Sequence, residues 1–71
     1  MKRRVVHVYV PAEGRNVLVR GHERRDLANV RGMWSRKDRG LWVHRDRLGD
    51  VLAALEVAGR VVEVFDDGEA A

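Results

Sequence analysis

The run LGDVLAALEVAGRVVEVF, residues 48–65, decides the fold because its apolar period changes partway along. Leu48, Val51, Leu52, Leu55 and Ala58 recur at i, i+3, i+4, i+7 and i+10, the stripe of an amphipathic helix over about residues 46–58. Asp46 stands where a side chain caps the start, and Gly59 is the usual residue just beyond a helix end. After Arg60 the spacing becomes that of a strand over residues 61–65, whose Val62 and Val64 are expected under the helix.

Upstream of this unit the chain reads as two hairpins. Residues 5–10 hold four valines and a tyrosine, a composition suited to a pleated surface, and Pro11, Ala12, Glu13 and Gly14 then turn the chain. Residues 16–20 are the expected partner strand, with Val17 and Val19 meeting Val6, Val8 and Val10 on one face and His7 and Tyr9 on the other. Gly21 closes that strand, and Leu27 and Val30 allow a short helical turn before Gly32. Residues 32–35 and 41–44 flank the polar turn of residues 36–40, and a three-residue loop there puts Trp34 and Trp42 on one face. A two- or four-residue loop separates the two indoles instead. The expectation is a small α+β domain: a mainly antiparallel sheet of two hairpins plus a final strand, with one amphipathic helix packed on it.

The chain has 71 residues, of which 45% are apolar and 35% charged, so a single small core over residues 1–71 is the expected domain organisation. Residues 1–4 read as a basic arm and residues 66–71 as an acidic tail that frays. There is no Cys, Thr or Gln, and Ser35 is the only Ser, which removes disulfides, thiolate zinc sites and almost every covalent nucleophile. The basic start followed by residues 5–10 imitates a secretory leader, but the apolar stretch is short, alternates and ends at Pro11. A cytoplasmic protein without a membrane segment is expected. Twelve Arg against two Lys, with no Ile, suggests a high-GC bacterial genome.

Charge is sorted along the chain. Residues 1–47 hold thirteen basic and five acidic side chains, and residues 48–71 hold one basic and six acidic. A basic body attracts a polyanion through counterion release, although an arginine-rich surface also serves solubility alone. Trp34 and Trp42, with Arg31, Arg36 and His44 near them, suit unpaired bases stacking between guanidinium groups. The same indoles could instead fill the core. Arg45 and Arg47 at the helix start form a candidate phosphate seat, unless Asp46 and Asp50 neutralise them. Arg31, Arg36, Lys37 and Arg39 are the expected phosphate contacts. His7, His22 and His44 lie on separate elements, so neither a metal site nor a cofactor is expected.

The segment Arg31-Gly32-Met33-Trp34, a polar turn, Leu41-Trp42-Val43, then a leucine-bearing helix ending at Gly59 and a valine strand, resembles the HARP domain of annealing helicases and similar small Gly-x-x-Trp modules. The likeness covers about residues 22–65 and rests on two tryptophans and a glycine; it departs in placing His44 where a proline is frequent. What it implies is DNA binding in the service of another enzyme. The expected function is therefore non-enzymatic binding of DNA or RNA by a basic, tryptophan-bearing hairpin. A protein–protein adaptor or homodimer is the first alternative, and a metal-independent RNA-cleaving toxin the second.

Overall fold

The computed structural model describes residues 4–66; the expected acidic tail beyond Asp66 and most of the basic arm lie outside them. Its elements are β1 (Val5–Val10), β2 (Asn16–Arg20), a 3₁₀ turn (Arg24–Leu27), β3 (Met33–Ser35), β4 (Gly40–His44), a second 3₁₀ turn (Arg45–Arg47), α1 (Leu48–Val57) and β5 (Val61–Asp66). The strands form one sheet in the order β3-β4-β2-β1-β5. Three of its pairings are antiparallel, and β5 runs parallel to β1 because α1 carries the chain back across the sheet.

The core lies between α1 and one face of the sheet. Val6, Val8, Val17, Val19 and Val43 have no access to solvent there, and Val51 and Leu55 of α1 close over them. Leu27, from the first 3₁₀ turn, plugs one end and Val30 packs partly against it, as their spacing suggested. Val62 is half-buried, but Val64 is 48% exposed, contrary to expectation. The cause is its position on β5, the edge strand beside β1 among the described residues.

The helix begins later than its apolar stripe suggests, after the 3₁₀ turn, and the side-chain cap belongs to that turn, where His44 rather than Asp46 provides it. The Asp46 backbone N–H donates to His44 Nδ1 at 3.2 Å. Gly59, at φ +76°, lets the chain leave the helix in the left-handed conformation, with the Arg60 N–H reaching back to the Leu55 carbonyl at 3.0 Å.

One ion-pair cluster joins distant parts of the chain. Arg60 donates through Nε (2.9 Å) and Nη2 (3.1 Å) to the two oxygens of Asp26, whose side chain is only 2% exposed. The Glu23 backbone N–H donates to the same carboxylate at 3.0 Å. Arg60 beside it, chiefly through these hydrogen bonds, holds the Asp26 carboxyl below its ordinary value. The first 3₁₀ turn is thus clamped to the entrance of β5. Arg4, expected as part of a free arm, instead donates to the Gly21 carbonyl and lies 3.5 Å from Glu23.

Candidate nucleic-acid interface

The loop between β3 and β4 has four residues, 36–39, so Met33 pairs with Trp42 and Trp34 with Leu41. The two indoles therefore point to opposite faces of the sheet, which corrects the three-residue expectation. Arg39 takes the left-handed conformation, at φ +52°, and Gly40 stands just after the loop. Gly40 serves another need: a Cβ there would lie 2.7 Å from the Val19 carbonyl oxygen and 2.8 Å from Leu18 Cδ1. It lets β4 close against β2.

On the face away from α1 the register places Met33, Trp42, Leu18, Tyr9 and Phe65 side by side across all five strands. The Tyr9 and Phe65 rings stack with centroids 5.1 Å apart and planes 15° apart, and His7 leans on both. Trp42 is half-buried, and its Nε1–H donates to Asp38 Oδ2 at 3.0 Å. Ser35 Oγ donates to the same oxygen at 3.0 Å and accepts from the Asp38 backbone N–H. The indole N–H, then the Ser35 hydroxyl, keep the Asp38 carboxyl below its ordinary value, with Lys37 and Arg20 adding to the effect. The charged turn thereby fixes the orientation of the ring beside it.

Neither indole belongs to the core. Trp34 is 56% exposed on the α1 side, edge-on to His22 with centroids 6.0 Å apart. Arg36, Lys37 and Arg39 are exposed in the β3–β4 turn, and Arg31 is exposed just before β3, so these four cations gather at one end of the strand order. Arg20 shares the open face, opposite His7. At the other end β5 carries Glu63, 3.6 Å from His7. The sequence's separation of charge thus becomes a basic β3–β4 end and an acidic β5 edge.

At the helix start, where a phosphate seat is expected, both arginines have partners within the chain. Arg45 donates its guanidinium to the Pro11 carbonyl and its backbone N–H to Arg15, tying β4 to the β1–β2 turn. Arg47 lies 3.9 Å from Asp50, and His44 is engaged with Asp46. These three residues are exposed but stand apart from the β3–β4 turn and its cations. Nothing local in the sequence marks Leu18, Met33 and Phe65; it places His7 and Tyr9 on one face without the row they complete. Its signal was the alternation in residues 5–10 and 61–65, which required the parallel β1–β5 pairing before it could be read.

Among the described residues no three His, Asp or Glu side chains gather to hold a metal ion, and no helix is long and apolar enough to cross a membrane. In comparison with known proteins, the chain matches no family model, no curated protein and no solved structure.

Proposed function

We propose that this chain is a non-enzymatic nucleic-acid-binding module that takes a single strand of DNA or RNA across the open face of its sheet. The observation that carries the reading is the row of Trp42, Tyr9 and Phe65 on the face of the sheet away from α1. Bases stack on exposed rings of an open sheet for about 1–3 kcal/mol each, and the rings need no sequence-specific partner to do so. Arg20 on that face and Arg36, Lys37 and Arg39 at its end supply the phosphate contacts. A service role beside a DNA-processing enzyme, as the HARP-like resemblance implies, fits a module of this kind.

The reading is tested by titrating single-stranded and duplex oligonucleotides at two salt concentrations. The single strand is expected to bind more tightly. Replacing Arg36 and Arg39 with Ala should lower the salt slope by about 0.7 for each phosphate that is no longer neutralised. An unchanged slope removes that end of the sheet from the interface. A second reading is a self-association or adaptor surface, favoured by Met33 at 75% and Phe65 at 42% exposure on the same face. Sedimentation at rising concentration separates the two, since a strict monomer removes the homodimer.

A further inference from the structure

A groove of about 480 Å³ lies on the other side of the β3–β4 hairpin, between it and the first 3₁₀ turn. Its floor is Leu27, Val30 and Leu41, and its walls are the rings of Trp34 and His22, inclined 71° to each other. His22 Nδ1 is buried without a hydrogen-bond partner, a costly arrangement for a polar atom inside a protein. As the ring stands, that nitrogen has no access to the groove; turning the imidazole over about its Cβ–Cγ bond, which exchanges Nδ1 with Cδ2, is its route to a partner. Burial lowers the His22 pKa and favours the neutral ring, which has one donor and one acceptor nitrogen. At the rim stands Arg24, with Arg31 next in sequence to Val30; both are exposed, and neither forms an ion pair among the described residues.

We propose that this groove binds one unpaired nucleobase, stacked on Trp34 and hydrogen-bonded by His22, with its phosphate held by Arg24 and Arg31. The proposal rests on the nucleic-acid reading and adds a discrete base site to the open stacking face. The chemistry selects a base over a simple apolar group: an apolar floor and an indole wall suit a flat ring, the donor and acceptor nitrogens of a neutral imidazole suit a polar ring edge, and two exposed guanidinium groups suit the adjoining phosphate. The groove's volume exceeds that of one base, which leaves room for the sugar.

The test is a titration of the isotope-labelled full chain, followed by NMR, with adenosine 5′-monophosphate, uridine 5′-monophosphate, adenosine, p-cresol and a twelve-nucleotide single strand. At least one monophosphate should shift the Trp34 indole N–H and the His22 ring signals and leave the Trp42 indole N–H in place. His22→Phe keeps a flat ring, somewhat larger than imidazole, and removes both ring nitrogens; with the fold retained, monophosphate affinity falls roughly five- to tenfold. Arg24→Ala with Arg31→Ala should weaken the monophosphate and leave adenosine unaffected. If the twelve-mer binds on the open face while no mononucleotide moves Trp34 or His22, the groove proposal is overturned and the broader reading stands. If neither the twelve-mer nor any mononucleotide binds at low salt, both are overturned. Binding of p-cresol in preference to every nucleotide would assign the groove to an aromatic protein side chain, and that also overturns it.

Discussion

Val6, Val8, Val17, Val19 and Val43 on one face of the sheet have no access to water, whereas Tyr9, Trp42 and Phe65 on its other face keep part of theirs. The covered face is built from small β-branched side chains that fit beneath the ten-residue helix. The open face holds three of the chain's four large aromatic rings. Rings of that size bury more apolar area than valine, so a small domain with a limited core gives up stability by leaving them outside. The contrast separates the two tasks: the valine face holds the fold together, and on the proposed reading the aromatic face meets the ligand.

Substitutions on the two faces should therefore have effects of different kinds. The largest loss of stability is expected from Leu55→Ala, which removes a side chain with no solvent access and opens a cavity worth about 3 kcal/mol. In a domain this small, thermal melting should show a large fraction unfolded well below the wild-type midpoint. Asp26→Ala comes next, at about 2 kcal/mol, because Arg60 loses both of its hydrogen bonds but keeps some access to solvent. On the open face, Tyr9→Ala with Phe65→Ala should change the melting midpoint less than Leu55→Ala and reduce single-strand affinity tenfold or so. Loss of affinity accompanied by unfolding in that double variant would erase the division between the faces.

The smallest effect concerns acid. The carboxyls of Asp26 and Asp38 are held below the ordinary 3.8, so their stabilisation is present above that value and disappears as pH falls through their lowered values in the fold. His22 works in the same direction over a higher range: its pKa is lowered from 6.5, so the unfolded chain takes up its proton first as pH falls. Stability should decline gently below about pH 6.5 and more steeply below about pH 4. In Asp38→Asn the steeper part should shrink, as read by urea denaturation across pH, and the emission of Trp42 should shift because its N–H loses a charged acceptor.

Much of the covered face was legible in the sequence. The alternation in residues 5–10 and 16–20 and the spacing of Leu48, Val51, Leu52 and Leu55 each have a period that identifies both the element and its buried side. What escaped depended on single-residue geometry or on long-range pairing. One extra residue in the β3–β4 loop, with Arg39 accepting a positive φ usually left to glycine, moved Trp42 to the opposite face from Trp34. The Asp26–Arg60 clamp spans 34 residues and leaves no local pattern. Arg45 looked available for phosphate, yet it is occupied by a carbonyl at Pro11 that only the folded β1–β2 turn delivers. The basic end of the sheet was visible as composition, but the aromatic row beside it became visible only when β5 was placed next to β1.

The central claim is that the open face stacks bases, and Trp42 reports on it directly. With Trp34 replaced by Phe, the remaining indole is the one in the row, and its fluorescence can be followed while a single-stranded oligonucleotide is added at low and then moderate salt. The account predicts that Trp42 emission is quenched on binding, that affinity falls as salt rises, and that the quench moves to roughly tenfold higher oligonucleotide concentration when Tyr9 and Phe65 are also replaced by Ala. Binding that leaves Trp42 emission unchanged, or no binding even at low salt, would contradict it.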